Sequence, residues 1–271
     1  NSSSMAAKQA QLATQFAPFI DSMASSAFDF HIAVTTMDMT LSGAQGKFIG
    51  SPSVITRDTS NFKQAFINNV TIASNGTDLE RGLDAVDTAL SDDMLAGVNQ
   101  GFLRPGALLA LVFLADEDDG SPRSTQYYID NLDLRKPLSP AGSRGWIANS
   151  VVVPDLNGPC KTFQQFASPG LRYMGLSQQS GGTIESICNP DLVAASASIK
   201  ARIIEVLTQY HLNSDADVST IHVFINGQTV PQSAVNGWTY DSVGFTLSFH
   251  GSWVPGANSK VQVSYKPKYA N

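Results

Sequence analysis

The sequence predicts an α/β fold: a doubly wound, mostly parallel sheet flanked by helices, followed by a small β appendage. Three observations carry that expectation. Strand-like and helix-like patterns alternate through residues 1–212. An unbroken apolar run, Ala107 to Ala115, lies between Pro105-Gly106 and the carboxylates Asp116, Glu117, Asp118 and Asp119. Such a run reads as a strand buried on both faces. From Val218 onward the helical period disappears, and short β segments separated by turn dipeptides replace it. The expected division is 1–212 for the α/β domain and 213–271 for the appendage.

Taken in order, Met5 to Met23 places Met5, Leu12, Phe16, Phe19, Ile20 and Met23 on a helical stripe, with serines before it as caps. Pro18 inside the stripe predicts a kink or an early stop. Phe28 to Thr36 reads as a strand, and Lys47 to Ile55 as its partner across a Gly-containing turn. Asn61 to Ile72 and Thr77 to Leu90 read as helices, the second with Leu79, Leu83, Val86 and Leu90 on one face. After the apolar run come a short helix (Thr125 to Leu132), a strand (Trp146 to Val153), and a helical stretch, Phe163 to Gln179, broken at Pro169-Gly170. Thr183 to Ile187 is a short strand, and Asp191 to Leu212 a long amphipathic helix. In the tail, Thr220 to Ile225, Gly237 to Tyr240, Gly244 to His250 and Lys260 to Tyr265 read as strands. Asn226-Gly227, Asn236-Gly237 and Pro255-Gly256 mark the turns. A segment of this size holds little core alone and is expected to pack on the larger domain.

Composition narrows the function classes. The chain has 271 residues, 42% hydrophobic and 15% charged, with a net charge of -6 and no Lys/Arg cluster, which argues against a surface that tracks nucleic-acid phosphates. The longest uncharged apolar stretch is far too short to span a bilayer. The two cysteines, Cys160 and Cys188, favour one disulfide in an oxidising compartment, with two buried thiols as the other reading. Their spacing fits no zinc pattern.

Candidate chemistry sits in three separated pieces. Ser2 and Ser4 precede the first helix, Thr77 opens another, and Asp116 ends the apolar strand. In open α/β sheets, ligands gather beyond the carboxyl ends of the strands. Hydroxyls and a carboxylate converging there form an oxygen-only site suited to a hard cation: Mg²⁺ foremost, or Mn²⁺ or Ca²⁺. Taken singly, each hydroxyl is equally a helix cap. Asp118-Asp119-Gly120 reads either as a ligand-facing loop or as a solvated turn. Thr35, Thr36 and Asp38 follow a strand end at the same rim, as partner contacts or as turn formers, and Glu117 lies beside Asp116.

Asn1-Ser2-Ser3-Ser4-Met5, Gly76-Thr77 and Leu114-Ala115-Asp116-Glu117 resemble the three loops of the von Willebrand factor A fold. That family carries a metal-ion-dependent adhesion site built on an Asp-x-Ser-x-Ser motif, a Thr and a second Asp. The resemblance implies that Ser2, Ser4, Thr77 and Asp116 are metal ligands. Met174 to Cys188 resembles the family's helix, Gly-Gly turn and last strand. The cysteine segment together with Gly237-Trp-Thr-Tyr-Asp241 is similar to bacterial exported or lipoprotein members. The motif's first Asp, and the central strand that it ends, would precede Asn1. The sequence is therefore expected to be a fragment, or to receive that strand from a separate segment.

The implied function is adhesion or protein-ligand binding, with a partner's acidic side chain entering the metal's open position at the cell surface or in the periplasm. The partner could equally be another surface macromolecule. The alternative is an envelope or appendage subunit that uses the fold without metal. An enzyme is not expected. No Gly-x-Ser-x-Gly elbow is present, and His31, His211, His222 and His250 accompany no recognisable nucleophile.

Overall fold

A computed structural model describes residues 5–25, 28–40, 43–72, 79–137, 144–163, 168–256 and 259–269. The chain forms a mixed α/β structure around a parallel three-stranded sheet. Its first helix, α1 (Ala6–Ser25), continues through Pro18 instead of stopping there. Pro18 points to solvent, while Phe16, Ala17, Phe19 and Ile20 around it are buried. Packing of that face therefore outweighs the one hydrogen bond that proline removes.

Two short strands follow, β1 (His31–Ala33) and β2 (Val54–Thr56), paired antiparallel with Ile32 opposite Ile55. Both are shorter than the periodicity suggests. Next come α2 (Phe62–Val70), α3 (Gly82–Ala89) and a single turn, α4 (Asp92–Ala96). Asn69, which opens a glycosylation tripeptide, is buried, and its Nδ2 donates to Pro52 O at 2.9 Å. The nitrogen that a glycan would need is thus already engaged.

The apolar run forms β3 (Leu109–Leu114). It is followed by α5 (Thr125–Arg135), β4 (Trp146–Val152), α6 (Leu171–Ser180), β5 (Ile184–Ser186) and α7 (Val193–Thr208). A cap sets the start of α5, where Ser124 accepts from Tyr127 N. Just ahead of α7, Asp191 Oδ1 accepts from Val193 N at 3.0 Å. β3 pairs parallel with β4, from Leu109 opposite Trp146 to Leu114 opposite Val151. β4 pairs parallel with β5. β4 is buried along its whole length because helices cover both of its faces. Val151 and Val153 join a core with α1, α2 and α7, whereas Trp146, Ala148 and Val152 join another with α3, α5 and α6. This is the period-2 alternation of a strand between two helical layers.

β3 departs from the expectation of burial on both faces. Leu109 and Phe113 are buried in the second core and Leu111 packs against it, but Ala110 is exposed and Val112 is 37% exposed on the opposite face. Among the described residues, β3 has a strand on one side only, and β1–β2 forms a separate pair rather than continuing its sheet.

The chain leaves α7 at Thr208, short of the expected end at Leu212. Gln209–His211 (β6) instead pairs antiparallel with a strand of the tail. The tail then contains β7 (His222–Ile225), β8 (Gln228–Thr229), β9 (Gly237–Asp241), β10 (Thr246–His250) and β11 (Val261–Ser264). They form two three-stranded antiparallel sheets, β6–β10–β9 and β11–β7–β8. Asn226 and Gly227 join β7 to β8 with φ of 51° and 82°, the left-handed pair that a tight hairpin needs. Both sheets contribute to one core containing Val223, Ile225, Trp238, Leu247 and Phe249, separate from the two cores of the α/β part. The tail thus has a hydrophobic centre of its own.

Cys160 and Cys188 form a disulfide with Cα atoms 5.0 Å apart. It joins the segment after β4 to the segment after β5, at the carboxyl ends of the parallel strands. Among the described residues, no helix is long and apolar enough to cross a membrane.

Candidate functional site

The rim beyond the carboxyl ends of β3 and β4 is assembled from four chain segments. Backbone hydrogen bonds stitch them together. Arg81 N donates to Met37 O at 2.9 Å, Gly120 N to Glu80 O at 2.7 Å, and Ser168 N to Asp116 O at 3.2 Å. The loop after β1, the approach to α3, the acidic loop after β3 and the approach to α6 are therefore held in one place. Close packing at two glycines makes the fit tight. A Cβ on Gly82 would fall 2.5 Å from the Tyr173 hydroxyl oxygen, and one on Gly120 would fall 2.5 Å from Leu79 Cδ1.

Within the acidic loop, neighbouring carboxylates have different tasks. Asp118 Oδ1 accepts from Arg172 N at 2.9 Å, in the first turn of α6. Asp119 Oδ1 accepts from Leu83 N at 3.0 Å, in the first turn of α3, and from the Ser121 hydroxyl at 2.8 Å. Arg172 Nη1 pairs with Asp119 Oδ2 at 2.9 Å. The same guanidinium donates to the carbonyls of Asp119, Ser121 and Arg123. Burial pushes the Asp119 carboxyl up, while these donors hold it back. The solvated-turn reading of Asp118-Asp119-Gly120 is thus corrected for Asp119: it caps a helix from inside the protein.

Asp116 differs from both. It is 3% exposed, flush with the end of β3, and its Oδ1 has no hydrogen-bond partner among the described residues. Glu80 is also buried. Burial, reinforced by the negative charges of Asp116 and Glu117, pushes its carboxyl up to about 7. Glu117 is half-buried beside them. This arrangement concentrates negative charge in a partly desolvated place.

The raised Glu80 value has a consequence for stability. A group that holds its proton more tightly when folded than its ordinary value of 4.5 stabilises the fold at low pH and loses that contribution as pH rises towards 7. In a chelating buffer, stability is expected to fall by on the order of 3 kcal/mol between those values, and Glu80→Gln should flatten the slope. Chemical denaturation across that pH range checks it. A wild-type curve that rises over the interval contradicts the assignment.

The other sequence-derived candidates divide. Ser2, Ser4 and Thr77 lie outside the described residues. Asp38 Oδ1 accepts from Thr40 N at 2.9 Å and from its hydroxyl at 2.6 Å, the turn-forming arrangement. Thr35 Oγ1 and Thr36 Oγ1 have no partner among the described residues, and Thr36 is buried. The histidines are scattered. His31 Nδ1 lies 3.2 Å from Phe102 O, His211 and His250 contact Thr246 and Thr239, and His222 is exposed on β7. Among the described residues, no group of three or more His, Cys, Asp and Glu is arranged to hold a metal ion.

Sequence reasoning missed Glu80, Ser168, Arg172 and Tyr173. Glu80 had one usable signal, an acid three residues beyond Thr77. Arg172 and Tyr173 had none, because the hydrogen-bond partners of their side chains are 47 or more residues away, from Thr125 Oγ1 to Gly82 N. No protein-family model matches the chain, and no curated protein matches it.

Proposed function

We propose that residues 1–212 form a doubly wound domain of the von Willebrand factor A type that binds a divalent cation, Mg²⁺ foremost, at the rim around Asp116. Through that cation it takes a protein ligand presenting an acidic side chain. The observation that carries this reading is the buried carboxylate oxygen of Asp116, without a hydrogen-bond partner among the described residues, at the end of an apolar strand. Leaving such a group without a partner is costly in a folded protein, and a cation would repay it. Glu117 adds negative charge beside it. In this reading Asp116 ligates directly, Ser2, Ser4 and Thr77 supply hydroxyls, and Thr35, Thr36, Asp38 and Glu117 border the ligand. The disulfide supports an exported location, at a cell surface or in a periplasm, where thiols stay oxidised. The segment 213–271, with its own core, is read as a β appendage to this domain.

The competing reading is an envelope or appendage subunit that uses the same fold without metal. What favours it is that Asp118 and Asp119, two of the four acids in the loop, are committed to helix caps.

Thermal melting separates the two. With Mg²⁺ at a hundredfold excess over Kd, the folded state gains about 2.7 kcal/mol, a shift of several degrees. Asp116→Ala should abolish that shift. In chelator the variant should melt no lower than wild type, because the oxygen removed had no partner to lose. Unchanged wild-type melting in millimolar Mg²⁺, Mn²⁺ and Ca²⁺ would reject the cation reading.

A further inference from the structure

We propose that Asn157-Gly158 is a self-modification site, where the asparagine amide is lost and the peptide link can be remade through the side chain. Asparagine followed by glycine is the pair most prone to this chemistry, because no side chain shields the following backbone nitrogen. The chain carries the pair four times, at Asn75, Asn157, Asn226 and Asn236. Asn75 lies outside the described residues, and the other three differ in what holds the amide. Asn226 Oδ1 accepts from Lys260 N at 2.8 Å, which turns its side chain towards β11 and away from Gly227. Asn236 Oδ1 accepts from Ser252 N and from its hydroxyl, both at 2.8 Å. Gly237 is buried as well, and a Cβ there would fall 2.0 Å from Pro231 O. At Asn157, among the described residues, only the backbone is engaged. Its N donates to Asp155 Oδ1 at 2.6 Å, and its O accepts from Cys160 N at 3.1 Å. Asn157 and Gly158 are both exposed, and a Cβ on Gly158 would meet nothing within 4 Å. The amide is therefore free to turn towards Gly158 N, and there is room for water to follow.

The reaction needs only water and hydroxide. Gly158 N gives its proton to hydroxide and attacks Asn157 Cγ. The new Cγ–N bond closes a five-membered succinimide ring, the Cγ–Nδ2 bond breaks, and ammonia leaves with a proton from water. A second water then opens the ring. Cleavage at Cγ leaves an aspartate. Cleavage at the main-chain carbonyl carbon leaves an isoaspartyl link, which lengthens the backbone by one carbon. Nothing is oxidised or reduced. Either product puts a second carboxylate beside Asp155. In the isoaspartyl product, the oxygen that accepts from Cys160 N belongs to a free carboxylate and no longer to the peptide link. The change thus falls three residues before the disulfide that ties this segment to the one after β5. The proposal does not depend on cation binding, and its test is run in chelator.

The whole chain is incubated at mildly alkaline pH, folded or in denaturant, and sampled over time. Peptide mapping by chromatography and mass spectrometry separates the asparagine, aspartate and isoaspartate forms of each site. In the folded chain Asn157 should convert roughly tenfold faster than Asn226 or Asn236, because a side chain held off the line of attack reacts slowly. The rate should rise with pH, and the Cys160 amide should exchange faster in the isoaspartyl form. In denaturant the three sites should converge, since the ties that separate them are gone. Asn157→Gln, whose longer side chain has to close a larger ring, should keep its amide. If that variant does not fold, the comparison of the three sites on the unaltered chain decides. The proposal is overturned if Asn157 converts no faster than the other two in the folded chain, or if its lead persists undiminished in denaturant. It is equally overturned if a folded Asn157→Gln chain loses the amide at that position as fast as wild type.

Discussion

Replacing Asp119 with alanine is expected to cost about 3 kcal/mol, more than the loss of any other acid in the loop. Breaking a buried ion pair from one side typically costs about 3–5 kcal/mol. The lower end applies here because Arg172 is partly exposed and keeps its three carbonyl acceptors, whereas the Asp119 side chain is fully buried. The substitution also strips the cap from Leu83 N at the start of α3 and the acceptor of the Ser121 hydroxyl. In a chain of this length the melting temperature should drop by roughly 5–10 °C. Asp118→Ala, which removes one cap contact from α6, should cost only about 1 kcal/mol. Equal losses for the two variants would show that burial of Asp119 is not what distinguishes these neighbours. Together with Asp116→Ala, the series sorts three acids of one loop by what their oxygens touch.

The second large effect is expected from the disulfide. Cys160 and Cys188 are 28 residues apart, and cross-linking a loop of that size restricts the unfolded chain by about 3 kcal/mol in the chain-entropy account. Both sulfurs lie in the core shared by α1, α2 and α7, so a Cys160→Ser/Cys188→Ser chain also places hydroxyls among apolar neighbours. Cys160→Ala/Cys188→Ala separates the two contributions. The alanine pair should lose about 3 kcal/mol in denaturant titration, and the serine pair more. If mild reductant leaves the wild-type midpoint unmoved although thiol titration shows the bond open, the cross-link contributes nothing to stability.

Local signals set much of this architecture. Asn226-Gly227 reads as a tight hairpin because few residues besides Asn and Gly accept left-handed backbone, and the turn is there. Trp146 to Val153 reads as a strand and forms β4, the most deeply buried one. Asp191 marks the approach to α7 because a side-chain acceptor before an apolar stripe has a local use. Asp116 is legible for a similar reason, being the first carboxylate after an apolar run.

Other features were illegible because their causes are distant. Nothing near Thr208 says that α7 stops there. The stop comes from pairing of Gln209–His211 with β10, whose partner residues are more than 30 positions away. Ala110 and Val112 have the same apolar character as Leu109 and Phe113, and only the neighbouring layers decide which pair is exposed. Asp118, Asp119 and Asp116 are alike as letters, yet one caps α6, one caps α3 from the interior, and one keeps an oxygen that has no partner among the described residues.

By itself the sequence determined the α/β character, the Asn226-Gly227 hairpin turn and the end of the apolar strand, and it favoured, without deciding, the pairing of the two cysteines. These depend on backbone preference and on periodicities that act over a few residues. Only the tertiary structure decided which acids are helix caps, that the tail has a core of its own, and that β1–β2 stands apart from β3–β4–β5. Each of those depends on which groups are brought together from far along the chain, and hydrogen bonds and burial reward only the pairs that meet.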